Sequence, residues 1–210
     1  MSGVKRGVRQ AKAAETRQRI LDAAYEAFAR SGYRATTMQA IADAAGVAVQ
    51  TLYFSFHTKD ELLQAVQDRA VLGDEGLPPH EQPWFATMRD SATIDGAVMA
   101  FSDGVAGILG RVAPLLPTFH AVAGDPAGEV WRASERLRRV GFEDVVALWA
   151  TKHPLRKGMT RKTAVDLVVV LAGPELYRSF TTDCGWEPKT YVRWLTRTLL
   201  RDVFDRQPSL

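Results

Sequence analysis

The chain has 210 residues, of which 46% are apolar and 24% charged, values ordinary for a folded globular protein and unlike those of a disordered or fibrous one. The net charge of +3 is concentrated at one end: residues 1–72 hold ten Lys/Arg against seven Asp/Glu, whereas residues 73–210 hold seventeen of each. No run approaches the roughly 20 apolar residues needed to span a bilayer, and the single cysteine, Cys184, excludes an internal disulfide and a multi-cysteine zinc site, so a cytoplasmic address is expected and no membrane partner.

Six basic residues, Lys5, Arg6, Arg9, Lys12, Arg17 and Arg19, stand against Glu15 alone in residues 1–19, the pattern of an arm that tracks phosphates. From about Glu15 to Ser31, Ile20, Leu21, Ala24 and Phe28 recur at helical spacing, and Gly32 marks the end of that helix. Met38, Ile41, Ala42 and Ala45 share one face of a second, short helix closed by Gly46. Thr36 with Gln39 makes a formal capping box for it, and Thr37 is the alternative cap. A third helix covers Val49 to Phe56. Its Leu52 and Phe56, four residues apart, turn toward Ile41 and Ala42. Thr58-Lys59-Asp60-Glu61 is a capping box that opens a fourth helix, with Glu61 expected to reach back to Thr58, ahead of Leu62, Leu63, Val66 and Ala70.

Residues 73–83 contain two glycines and three prolines and mark the expected domain boundary, dividing residues 1–72 from 73–210. Beyond it, helical blocks are expected at about 93–110, 114–123, 126–152, 160–181 and 188–206, with no strand alternation. The fold class is therefore all-α.

Two short helices joined through Gly46 have the form of a helix-turn-helix, whose second member enters the major groove. On that helix Gln50, Thr51, Tyr53 and Ser55 offer donors and acceptors to base edges and phosphates, and Val49 and Phe54 offer apolar contact to thymine methyls. The stretch formed by Thr16-Arg17, Ile20-Leu21-Asp22-Ala23-Ala24, Phe28, Gly32-Tyr33, Ala35-Thr36-Thr37-Met38, Ile41-Ala42, Ala45-Gly46-Val47, Thr51-Leu52-Tyr53, Phe56, Lys59 and Leu62-Leu63 resembles the DNA-binding domain of the tetracycline-repressor (TetR) family of bacterial regulators. The resemblance implies an N-terminal three-helix DNA-binding head, a linking fourth helix, and a C-terminal helical body that binds an effector and dimerises, with repression relieved by a small molecule. It also implies DNA contacts from Thr37, Gln39, Gln50, Thr51, Tyr53 and Lys59. Of these, Thr37, Tyr53 and Lys59 suit phosphate, and Gln50 suits the edge of adenine. Two positions depart from the pattern: Ala48 stands where Ser or Thr often caps the third helix, and Val49 where Lys is common.

In the body, Trp84, Phe85, Met88, Met99, Phe101, Phe119, His120, Trp131 and Trp149 are candidates to line an effector cavity, with His120 as a polar anchor in apolar surroundings. The broad apolar faces of the last two long blocks supply a candidate dimer interface: Val165, Val168, Val169, Ala172, Leu176, Trp194, Leu195 and Thr198. The four histidines are scattered and fall in no catalytic or zinc motif, so neither an enzyme nor a metal or other cofactor is expected. A DNA-binding dimer without a small-molecule effector, tuned by a protein partner or acting as an activator, is the principal rival.

Overall fold

The structure, a computed structural model, describes residues 2–206, with side chains from Gln10 onward. The described residues form helices joined by short turns, with no strand: α1 Ser2–Ala35, α2 Met38–Ala45, α3 Val49–Ser55, α4 Lys59–Leu72, α5 Pro83–Asp90, α6 Ile94–Val112, α7 Leu116–Ala121, α8 Gly128–Lys152, α9 Arg161–Leu171, α10 Pro174–Arg178 and α11 Pro188–Phe204.

The short N-terminal helices follow from local chemistry. At Gly32, with φ 75°, α1 breaks its helical path, a conformation costly for a residue with a Cβ. Thr37 is the cap of α2: its Oγ1 accepts from the Ala40 amide at 3.1 Å, while Thr36 is buried and donates instead to the Gly32 carbonyl at 2.7 Å. Gly46 ends α2 in the left-handed region (φ 64°). Ala48 precedes α3 in extended conformation with no side-chain cap. Thr58 Oγ1 accepts from the Glu61 amide at 3.0 Å, but Glu61 reaches one residue further back than a reciprocal box requires, accepting from the His57 amide at 2.9 Å.

Two compact units make up the chain. The first comprises the residues through Arg69 together with Leu115–Trp131; the second comprises Ala70–Pro114 and the residues from Arg132 onward. The core of the first holds Ile20, Ala24, Phe28, Ile41, Ala42, Leu52, Phe56, Leu62 and Leu63, all buried. The Ile, Leu and Phe side chains among them contribute about 1.5–3 kcal/mol each when fully buried. Phe119 stacks on Trp131 at 5.1 Å, and Thr118 Oγ1 donates to the Phe28 carbonyl at 2.7 Å, which ties the segment around α7 to α1.

In the second unit α6 packs against α5 and α11, and Phe101, Phe142, Trp149, Tyr191 and Phe204 fill the interior with Val98, Val146, Val168, Leu195 and Leu199. Two features differ from the sequence expectations. Helix α5 lies in what reads as a joint, because Pro83 sits at its first turn, where a missing N–H costs nothing. The single block expected over 160–181 is interrupted at Gly173-Pro174, since proline cannot continue the hydrogen-bond ladder and drives Gly173 to an extended ψ of 152°; a π-helical turn, Ser179–Asp183, then follows α10. The stretch Ile94–Ala121, which includes α6, is long and apolar enough by composition to cross a membrane, although Asp95, Asp103 and Arg111 interrupt it, so that it is no unbroken apolar run; half of its most apolar window is buried inside the protein.

Candidate nucleic-acid interface

Leu52 is fully buried and Phe56 nearly so, and these two anchors fix the rotation of α3. Gln50 and Thr51 are therefore exposed, Tyr53 is 48% exposed and Phe54 86% exposed, while Val49 and Ser55 are half-buried at the margins. A phenylalanine this exposed has no packing role within the chain, and beside three polar side chains it forms an outward face of mixed chemistry. Ser55 Oγ donates to the Thr51 carbonyl at 3.1 Å, which holds that hydroxyl against its own helix.

The flanks of this face are braced internally. Arg17 places its guanidinium 4.2 Å from the centre of the Phe56 ring, and Arg19 donates to the Ala45 carbonyl at 3.2 Å, at the negative end of α2. Lys59 Nζ donates to the carbonyls of Tyr33 (2.8 Å) and Thr36 (2.9 Å) and lies 4.1 Å from the centre of the Tyr33 ring. Desolvation by its surroundings lowers the Lys59 pKa, and the neighbouring Asp60 opposes that shift. The Tyr33 hydroxyl donates to Asp60; burial first, and Asp60 second, push its pKa well above the ordinary tyrosine value. Gln39 is exposed and donates to Asp43 at 2.8 Å, and Thr37 is exposed beside the first turn of α2.

Lys5, Arg6 and Arg9 have side chains outside the described residues, but the backbone there is already helical from Ser2, so the expected basic arm is the first part of α1. The use of Arg17 and Arg19 as braces and the Tyr33–Asp60 pair escape a reading of the sequence, because each joins residues far apart in the chain.

The body candidates fall in both units. Trp84, Phe85, Met88, Phe101 and Trp149 belong to the second unit, where Trp84 meets Phe85 and Phe101, and Phe101 meets Trp149. Phe119, His120 and Trp131 belong to the first unit. His120 is exposed, which removes the apolar surroundings expected for it, and Met99 is 46% exposed and faces outward from α6. A groove of about 570 Å³ lies between α1 and α2, lined by Ala23, Ala27, Ala40, Ala44 and flanking charged residues; none of the effector candidates lines it. Among the described residues no group of three or more His, Cys, Asp or Glu is placed to hold a metal ion.

Of the expected dimer residues, Val165, Val168, Ala172, Leu195 and Thr198 are buried within the single chain, because α9 and α11 pack on each other and on the rest of their own unit. Val169, Leu176 and Trp194 remain half-buried. Apolar surface is left by Val170, 65% exposed, and by Trp186 and Trp194, both half-buried and packed on Phe180. Val170, Phe180 and Trp186 were not among the expected contacts, since Trp186 sits in a Gly- and Pro-containing loop that reads as a joint.

A short helix held by its cap at Thr37, a left-handed glycine turn, and a second helix anchored on one side and polar on the other define a helix-turn-helix DNA-binding protein. Residues 20–66 match the family described as bacterial regulatory proteins, tetR family. The transcriptional repressor KstR of Mycolicibacterium smegmatis is 29% identical over 186 residues, a match spanning 77% of this chain and 89% of KstR. The transcriptional regulator SrpR of Pseudomonas putida is 50% identical over 56 residues, which span 27% of this chain and only 26% of SrpR. In fold, the chain is similar to NalD, the secondary repressor of the MexAB-OprM multidrug efflux pump in Pseudomonas aeruginosa, with a TM-score of 0.68 at 20% identity over 92% of this chain and 98% of NalD. Over residues 20–66 the chain thus carries the helix-turn-helix domain of bacterial regulatory proteins of the tetR family, and the relatives that share it are transcriptional regulators.

Proposed function

We propose that the protein is a repressor that binds a palindromic operator as a homodimer and is released from it by a small molecule. The observation that carries this reading is the outward face of α3, where Gln50, Thr51, Tyr53 and Phe54 are exposed while Leu52 is fully buried. Within that reading Gln50 contacts a base edge, Thr51, Phe54, Val49 and Ser55 line the groove, Thr37, Tyr53 and Lys59 hold phosphates, and Gln39 contacts DNA from the start of α2. The head comprises residues 1–72 and the effector-binding and dimerising body residues 73–210. The protein acts by regulation and not by catalysis.

Dimerisation is supported by the apolar surface that Val170, Trp186 and Trp194 leave uncovered in a single chain, aromatic residues being characteristic of interface centres. Effector release then follows from population shift: a small molecule that prefers the body in a conformation with mis-spaced recognition helices lowers operator affinity by its differential affinity for the two states. The mass of the purified protein on a palindromic DNA site tests the stoichiometry. Two chains per site are expected, and a single chain per site would exclude the symmetric dimer.

A further inference from the structure

We infer that the aromatic core of the second unit is a binding site for a neutral, largely aromatic small molecule carrying one hydrogen-bond acceptor, which the indole N–H of Trp149 takes. The inference deepens the effector-responsive reading and rests on it. Trp149 is fully buried, yet its Nε1 has no hydrogen-bond partner. An indole can only donate, and buried donors in native proteins are nearly always satisfied, so an orphan one marks a place where an acceptor is wanted. The surroundings set the rest of the chemistry. Phe101 stands edge-on to Trp149 at 4.9 Å and Phe204 at 6.0 Å, and Phe101 also meets Phe142 at 5.3 Å. The charged and titratable groups beside these rings lie at the margin: Arg138 sits over Phe142 and is held by Glu135 at 2.6 Å, and His153, near Phe204, is half-buried at the end of α8. A charged ligand would find no counter-ion among the rings, whereas a flat apolar one with a single carbonyl, ether or phenol oxygen would satisfy Trp149 without leaving a charge buried.

Trp84 supplies the way in and the link to regulation. Half-buried, it lies so closely on Gly104 that a Cβ at that position would stand 2.1 Å from its Cγ, and it reaches Phe101, the ring next to Trp149. Its own Nε1 donates to Gln82 Oε1 at 2.9 Å, while Gln82 Nε2 donates to the carbonyls of Leu77 (2.8 Å), Val71 (3.2 Å) and Leu72 (3.3 Å). Displacing Trp84 to admit a ligand therefore frees the side chain that clamps the last residues of α4, the helix that follows the recognition helix in the chain.

The test is calorimetric binding of three probes to the full chain without DNA: acetophenone, ethylbenzene, which has a similar shape but no acceptor, and benzoate, which is charged. Acetophenone is expected to bind at least about ten-fold more tightly than ethylbenzene, and benzoate not to bind. Trp149→Phe should erase the preference for acetophenone and leave ethylbenzene binding in place, with circular dichroism confirming the fold. Equal binding of acetophenone and ethylbenzene to the wild type, binding of neither, tightest binding of benzoate, or a preference that survives Trp149→Phe would each overturn the inference. Acetophenone that binds as expected but leaves an operator complex intact would instead count against the effector-release reading, so the two failures are distinguishable.

Discussion

Lys59 reaches back 26 residues to donate to the Tyr33 carbonyl at 2.8 Å, with its ammonium group 4.1 Å from the centre of the same residue's ring. The bond joins the start of α4 to the end of α1, and the second bond, to Thr36, holds the turn that leads into α2. Two of the three ammonium N–H groups are thus spent inside the head, leaving one for a phosphate. Lys59→Ala is expected to lower stability by about 1–2 kcal/mol, as a shift in urea midpoint, since two bonds from a charged, half-buried group are lost. It should also weaken binding to all DNA sequences alike and flatten the dependence of log K on log salt by about one unit per subunit. A lower midpoint with an unchanged slope would leave Lys59 as a brace alone.

The missing cap on α3 can be supplied. Ala48 already has the extended conformation of a cap, with φ −67° and ψ 143°, so Ala48→Ser adds an acceptor for the first turn without moving the backbone. We expect a gain of about 0.5–1 kcal/mol in urea unfolding. By the same logic Thr37→Ala should cost about 1 kcal/mol, because its Oγ1 caps the Ala40 amide.

A buried tyrosine, Tyr191, and a half-buried one, Tyr33, make the fold sensitive to alkali. Burial raises the pKa of Tyr191, reinforced by Tyr177 and opposed by Arg138, and its hydroxyl donates to the Leu171 carbonyl at 2.7 Å; Tyr33 is raised by burial and by Asp60. In each case the folded chain keeps the proton while the unfolded chain releases it near the ordinary value of about 10. Their contribution to stability is therefore complete below about pH 10 and is lost progressively as pH rises above it. The urea midpoint followed from pH 8 to 11.5 should fall at the alkaline end, and less steeply in Tyr191→Phe.

Val170→Glu should give a monomer that unfolds like the wild type, because this side chain is 65% exposed in the single chain. Val168→Glu is the wrong probe of the interface, since Val168 is fully buried and a carboxylate there would unfold the body. A Val170→Glu protein that remains dimeric by light scattering would move the interface to another face.

What was legible in the sequence was what local chemistry decides. The end of α2 follows from Gly46 and the start of α4 from Thr58, because caps and left-handed turns act over three or four residues, whereas the choice between Thr36 and Thr37 as the cap of α2 stayed open in the sequence. Pro83 misled because proline breaks a helix in its interior and favours one at its first turn, and nothing nearby distinguishes the two. The grouping of Leu115–Trp131 with the N-terminal unit was illegible for a different reason: it depends on contacts such as that of Thr118 with Phe28, 90 residues away. The outward face of α3 could be read from its spacing. The effector candidates could not be sorted, because an aromatic residue in a core and one in a pocket leave the same mark on a sequence.

In the proposed mode of binding, α3 reads DNA as one half of a symmetric pair. Selection of binding sites from a random DNA pool by the purified protein, followed by sequencing, should then yield a palindrome with half-sites about one helical turn apart, in which Gln50→Ala relaxes the preference at one position of each half-site. A single asymmetric site, or enrichment no greater than that of non-specific binding, would contradict it.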